Sequence, residues 1–470
     1  MPPGVAPSRG GRMTQQVEDS KEADGHMQVP PDQLRKATLA ASVGSALEYY
    51  DFALYGTASA LIFGKLFFPA FGVSQALILS FATYAVGFLA RPIGGLFFGM
   101  MGDKLGRKWV LTITIAIMGL ASTFVGLLPT AATIGVWAPI ILVVLRLLQG
   151  FGAGAEQAGA TVLMAEYSPP PRRGFFSALP FVGIQAGTLL AAAVWALLGL
   201  APDEVLYGWL WRVPFLASIF LIAVAVFIRL RLKESPTFVE LEKHEQIAEH
   251  PLPELFRTAR RHVWRGIGLR MAENGGSYLF STLSITFVTS SAVGLGKSIG
   301  PLAVAVASGV GILTVPLAGA LSDRFGRIPV YRAGAIFLTL LAMPAWYLLS
   351  LGNPVLVVVV VVLGVSIGVN AMLGAQCAML PELFGNRHRY IGVAVSREFS
   401  AVIAGGIAPL LGVWFLSMTD YSWWPLGIYT LVLGVITTIT TFITPETRGR
   451  TLTRIADAPL RGIEQKQATA

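Results

Sequence analysis

The sequence predicts an all-α integral membrane protein of twelve transmembrane helices in two pseudo-symmetric six-helix halves. Three observations predict it: an apolar composition broken into bilayer-length runs, connections whose charge alternates, and motifs that recur at a near-constant offset. Of 470 residues, 54% are hydrophobic and 13% are charged, with mean hydropathy +0.65, whereas soluble domains carry about 25% charged residues. A net charge of +9 would suggest nucleic acid in a soluble chain. In a membrane protein the lysine and arginine excess of cytoplasmic loops accounts for it, and no nucleic-acid partner is expected.

Residues 1–36 are polar and read as a mostly disordered cytosolic tail. Twelve apolar segments come next, at about 37–63, 75–101, 109–128, 136–164, 175–200, 209–229, 264–291, 299–321, 330–350, 354–380, 391–417 and 423–444. Each is near the roughly 20 residues a bilayer requires. The first six form an N-terminal half, 37–229, and the last six a C-terminal half, 263–444. Between them lies a charged cytosolic linker, 230–262, expected to hold surface helix broken near Pro236, Pro251 and Pro253, and 445–470 is a second cytosolic tail. One set of connections carries Arg35 and Lys36, Lys104, Arg107 and Lys108, Arg172 and Arg173, Arg324 and Arg327, Arg387 and Arg389, and Arg448 and Arg450. The opposite set offers little beyond Lys65, Arg212 and Lys297, so both termini are expected in the cytoplasm of an inner-membrane protein.

The halves repeat. Gly99-Met-Met-Gly102-Asp103-Lys104-Leu-Gly106-Arg107 comes after the second segment, and Gly319-Ala-Leu-Ser-Asp323-Arg324-Phe-Gly326-Arg327 after the eighth. Glu166 and Arg173 lie at and beyond the end of the fourth segment with the spacing of Glu382 and Arg389 around the tenth. Paired halves are characteristic of secondary transporters whose site lies between them near the midplane.

Polar residues inside apolar spans mark candidate function, because a charge near the bilayer centre costs about 2.5–3.5 kcal/mol on insertion scales. In the first span Glu48, Asp51 and Tyr55 fall at i, i+3 and i+7, on one helical face. In the fourth, Arg146, Gln149 and Gln157 fall near one face, with Glu156 turned about 80° away. In the seventh, Arg270, Glu273, Asn274 and Tyr278 make a polar stripe, and Asn370 and Gln376 are milder candidates in the tenth. Arg397-Glu398 in the eleventh fits an interfacial pair as well as a cavity role. Asp51, with Glu48 as a candidate helper, is expected to carry a proton tuned by Arg146, with Glu156 as the alternative carrier. An approaching guanidinium favours the ionised form of a buried carboxylate and a departing one the protonated form.

The twice-occurring G-x-x-x-D-R/K-x-G-R loop and Arg146-Leu-Leu-Gln149-Gly150 resemble the major facilitator superfamily. ALEYYDFALYG, Arg91-Pro92-Ile-Gly-Gly, LLQGFGAGAEQAGA, AEYSPPPRRG, RMAENGGSYLF, MLPELF and PETRG narrow the resemblance to its metabolite:proton symporter branch. That resemblance implies the major facilitator fold, alternating access and proton-coupled uptake of a small organic acid or zwitterion, the branch including carriers of shikimate, α-ketoglutarate, proline and betaine. It also implies a cytosolic gate in which Asp103, Arg107, Asp323, Arg327, Glu166 and Glu382 hold the halves together. The chain departs from the branch pattern at Ala155-Glu156-Gln157-Ala158, Tyr49-Tyr50 and Ile328, so the substrate is not copied from any relative.

Enzymatic chemistry is not expected, since no nucleophile triad, metal spacing or phosphate-binding loop occurs. No cofactor or metal is expected either; Cys377 reads as a packing residue and His244, His250 and His262 as solvated or interfacial. The expected partners are the lipid bilayer, a small-molecule substrate and protons, with the protein a monomer. An uncoupled facilitator or exporter on the same fold, and a non-transporting membrane sensor, are the competing readings.

Overall fold

In the computed structural model each apolar run becomes one long helix. The structure describes residues 31–105, 107–154, 156–230, 251–385 and 389–452, with the side chains of 102–108, and hence Asp103 and Arg107, outside the described set. The helices are α1 (31–67), α2 (Val73–Leu105), α3 (Arg107–Leu127), α4 (Trp137–Tyr167), α5 (Arg173–Leu198), α6 (Val213–Leu230), α7 (260–289), α8 (Ile299–Phe325), α9 (Arg327–Ser350), α10 (Pro354–Leu383), α11 (Arg389–Met418) and α12 (Trp424–Ile443). Among the described residues, nine of these are long and apolar enough by composition to cross a membrane. The other three are α3, whose apolar stretch is short, and α1 and α7, which carry many of the polar residues at the seam between the halves.

Several segments differ from expectation. Residues 31–36 are helical, not tail, because Pro31 suits a first helical turn and Asp32 adds a favourable charge at that positive end. In the linker, Pro251 and Pro253 lie in the first turn of a short helix, Pro251–Thr258, where proline is tolerated. His262 is buried and its ring lies 6.3 Å from that of Phe384, not at an interface with water. Pro236, His244 and His250 lie outside the described residues.

Helices α3 and α6 pack together at one flank, and α9 and α12 at the other. The seam between the halves is formed by α5 against α8 and by α2 against α11, with α1, α4, α7 and α10 completing it. Glycine allows the closest approach: a Cβ at Gly174 would collide with the carbonyl oxygen of Gly319. Outward-facing side chains are apolar, among them Phe220, Leu340 and Leu313, each more than 70% exposed. An apolar exterior around a polar seam is the arrangement a bilayer selects.

Four helices depart from α geometry beside that seam. π-helical turns occupy Ser59–Phe63 in α1, Leu279–Leu283 in α7, Val362–Val369 in α10 and Ala401–Gly406 in α11. Such turns insert a residue and rotate the helix beyond them, and they are frequent at functional sites. In α4 the described α-helical segments are Trp137–Ala153 and Glu156–Tyr167, with Gly154 in a turn of helical dihedrals.

Candidate functional site

The seam encloses a cluster of buried charge. Arg91 of α2 lies 2.7 Å from Glu48 of α1, in its own half, and donates from Nε to Glu398 of α11, in the other half, at 2.9 Å. Gln157 of α4 donates to Glu48 at 2.9 Å and accepts from Nη2 of Arg397 at 2.8 Å, a second bridge between halves. On α7, Arg270 pairs with Glu273 at 3.0 Å and donates to Gln376 of α10 and Ser400 of α11, each at 2.8 Å. All of these side chains are nearly inaccessible to solvent. Buried charges persist only when paired and hydrogen-bonded, so the cluster is a built arrangement and not a by-product of packing. A cavity at its centre is lined by Tyr49, Arg91, Arg270, Asn274, Tyr278, Arg397, Glu398 and Ala401.

A second polar cluster is built from helices of the N-terminal half, with Tyr278 of α7 against its edge at Tyr84. Asp51 accepts from Ser218 of α6 at 3.3 Å. Nearby, Arg146 of α4 donates to Gln149, which donates to Ser122 of α3 at 2.6 Å. The Arg146 guanidinium stands 4.3, 4.4 and 4.9 Å from the ring centroids of Phe52, Tyr55 and Tyr84, close enough for cation–π attraction. Tyr55 spends its hydroxyl on Thr83 at 2.8 Å.

The structure therefore separates residues that the helical wheel puts together. Glu48 turns to the seam and Asp51 to α6, because three residues leave a difference of about 60° that suffices to select different neighbours. Tyr55 goes to the aromatic cage. Arg146 and Gln149 sit in the second cluster and not on the cavity, whereas Gln157, eleven residues and about 16 Å further along the helix, reaches the seam. Glu156 is buried within electrostatic range of Glu48. The α7 stripe does come together: Arg270, Asn274 and Tyr278 line the cavity and Glu273 pairs with Arg270. Gln376 joins it through Arg270. Asn370 instead accepts from Gln185 of α5 at 3.0 Å, a cross-seam contact beside α8. Arg91 is the site residue that sequence reasoning misses, and Arg397 and Glu398 are the ones it leaves undecided. Arg91 stands out in the sequence only as part of a motif, and Arg397-Glu398 fits an interfacial pair equally well.

Both ends of the seam are closed. At the end bearing the Asp323–Arg327 loop, Asp323 accepts the backbone N–H groups of Gly174 at 2.7 Å and Phe175 at 2.9 Å, in the first turn of α5. A carboxylate there also meets the positive end of the helix dipole. Asp323 pairs with Arg327 as well, at 2.7 Å. Glu382 gathers Arg173 at 3.0 Å and Arg327 at 3.1 Å, and Arg389 reaches Glu166 at 3.0 Å. The repeated Glu–Arg pairs are thus exchanged between halves: Arg173 meets Glu382 and Arg389 meets Glu166. Gly326 holds φ 103°, a conformation that favours glycine, so the chain turns sharply into α9. Glu446 of the PETRG motif then accepts the N–H groups of Arg327 and Ile328 at 2.8 and 3.0 Å.

The opposite end has lighter contacts. Asp203, in the connection before α6, pairs with Lys297, in the connection before α8. Ser74 and Tyr421 approach to 3.2 Å through their hydroxyls.

Two helical halves that meet around a buried, charged cavity, with contacts between them at either end, make the architecture of a membrane transporter. The comparisons give the family. The model described as Major Facilitator Superfamily matches residues 41–406, and the chain belongs to that family. It is 33% identical to the shikimate transporter of Escherichia coli (strain K12) over 87% of this chain and 94% of that protein. It is 37% identical to the proline/betaine transporter of Salmonella typhimurium over 89% of this chain and 85% of that protein. Among solved structures, the proton:xylose symporter XylE bound to 6-bromo-6-deoxy-D-glucose is similar with TM-score 0.70 at 19% identity, over 90% of this chain and 98% of that one, which shows the twelve-helix, two-half fold. The family and these relatives are membrane transporters, not enzymes.

Proposed function

We propose that the protein carries a small organic acid or zwitterionic metabolite into the cell together with protons, by rocking its halves about the seam. The observation that carries this reading is the buried set of three arginines, Arg91, Arg270 and Arg397, facing three glutamates, Glu48, Glu273 and Glu398, where the halves meet. With Glu156 close by, an entering carboxylate adds negative charge to an already acidic site, so its uptake favours a proton or a cationic group arriving with it. The shikimate and proline/betaine transporters fit that description of cargo.

Asp51 is the proposed proton carrier, with Glu48 and Glu156 as the alternative sites. Asp51 has a hydroxyl donor but no ion pair among the described residues, while Arg146 nearby is held by rings and an amide. That leaves each able to respond to the other. The Asp323–Arg327 end, with Glu166 and Glu382, is the proposed cytoplasmic gate, and the arginine-rich connections support cytoplasmic termini. One proton moving down about 150 mV supplies about 3.5 kcal/mol, enough for about 300-fold accumulation of a neutral solute.

The test is uptake into proteoliposomes from a radiolabelled panel of shikimate, α-ketoglutarate, citrate, proline and betaine, with and without an inward proton gradient. Uphill uptake of a panel member that collapses with an uncoupler is the expected result. Movement that only equilibrates marks a facilitator, and acid binding without movement marks a sensor.

A further inference from the structure

The arginines around the cavity differ in what neutralises them. Arg91 has Glu48 and Glu398, and Arg270 has Glu273. Arg397 makes no ion pair with a carboxylate among the described residues, although Glu273 acts on it electrostatically. Its Nη2 is fixed by Gln157, and the Phe181 ring centroid lies 5.3 Å from its Cζ. Its Nε and Nη1 are buried with no hydrogen-bond acceptor. Across the same cavity, Nδ2 of Asn274 is also buried without an acceptor. Buried donors are satisfied in nearly all proteins, so unspent donors that share one cavity, one of them cationic, are matched to an acceptor that comes from outside the chain. Two more features suit a carboxylate there. A guanidinium stays protonated at any physiological pH, and charge-assisted hydrogen bonds to it are about twice as strong as neutral ones.

We infer that Arg397 of α11 and Asn274 of α7 form the anchor for the carboxylate group of the cargo, so that the C-terminal half holds the acid end of the substrate. The inference rests on the transport reading for the identity of this cavity as the cargo site. It deepens that reading by assigning the recognised group and the residues that recognise it. Gln157, which orients Arg397, also bonds Glu48, so the amide and the Phe181 ring of α5 tie an occupied anchor to the N-terminal half.

The experiment is equilibrium binding to purified full-length protein in nanodiscs, which reads the anchor separately from proton-driven movement. The probes are shikimate, α-ketoglutarate, proline and betaine, each beside its carboxyl-blocked methyl ester or amide. For the acid that binds, the blocked form is expected to bind about 10- to 100-fold more weakly, the span of a hydrogen bond to a charged group. Arg397→Gln is expected to lose the same factor and to abolish the difference between acid and ester. Arg397→Lys, which keeps the charge but not the Nε donor, is expected to recover part of it, and Asn274→Leu to weaken the acid more than the ester. Blocked and free forms that bind equally well overturn the inference, as does Arg397→Gln protein that discriminates like wild type, or a wild type that binds none of the acids. Acid-selective binding without proton-driven uptake would leave the anchor standing and remove the coupled-transport reading.

Discussion

The two buried polar clusters differ in where their partners come from. Around Arg146 the hydrogen-bond and nearest ring partners belong to the N-terminal half: Gln149, Ser122 through it, and the rings of Phe52, Tyr55 and Tyr84, with Tyr278 of α7 meeting the outer side of that cage at Tyr84. Around Arg91 one carboxylate belongs to its own half and one to the other. A rigid-body rocking of halves leaves the first set together and pulls the second apart. The inner cluster is therefore suited to storing a proton through the cycle, and the seam cluster to sensing cargo and conformation. Neighbouring carboxylates of one helix, Asp51 and Glu48, are divided between these clusters.

Breaking the seam cluster has the largest expected effect. Arg91→Leu leaves Glu48 and Glu398 buried without their counter-ion, and losing one member of a buried pair costs about 3–5 kcal/mol. Uptake is expected to fall more than about 100-fold while protein still reaches the membrane, measured by radiolabel uptake beside quantitative blotting. Wild-type uptake in this variant would show that the seam pair is a bystander.

Next in size is the inner cluster. Asp51→Asn is expected to abolish accumulation driven by a proton gradient but to retain exchange of labelled for unlabelled solute. Full gradient-driven accumulation would move the proton to Glu48 or Glu156, and loss of exchange as well would make Asp51 part of the binding machinery.

The gate comes third. Asp323→Ala removes the acceptor for two N–H groups of α5 and one ion pair, interactions worth about 1.5–3 kcal/mol each to a charged group. The expected result is a fall of about tenfold in turnover at unchanged membrane abundance, with faster labelling of a cysteine placed at the cytoplasmic mouth. Turnover like wild type would remove the latch role.

The smallest effect is expected at the opposite end. Asp203→Asn is expected to change uptake less than about twofold, as exposed ion pairs are worth little. The hydrogen bond from Lys297 holds the Asp203 carboxyl below its ordinary value. Its pairing is therefore complete above that ordinary value and is lost only as pH falls through the lowered one. A pH profile of uptake between about 5 and 8 should be the same in Asp203→Asn and wild type, and a difference there would give the outer pair a coupling role.

Much of the architecture is legible in the chain of residues itself. Twelve helices arise from the length a bilayer demands, and the α7 stripe stands out because polar residues at helical spacing in an apolar span have few places to go. The site is less legible where helices depart from regular geometry. Arg397 and Glu398 precede the π-helical turn at Ala401–Gly406, close enough to the end of α11 to look interfacial, yet the fold buries both. In α4, eleven residues or about 16 Å of helix separate Gln157 from Arg146, a rise that wheel arithmetic ignores. Exchange of Arg173 and Arg389 between halves is also beyond sequence reach, because the matched spacing suggests pairing within each repeat.

The most direct test of the central claim measures solute and proton flux together in proteoliposomes containing the full-length protein, with the lumen reporting pH. The account predicts that each addition of the transported acid acidifies the lumen in fixed proportion to solute entry, and that Asp51→Asn breaks this proportion while solute exchange continues. Solute entry with no accompanying lumenal acidification in the wild type would contradict it.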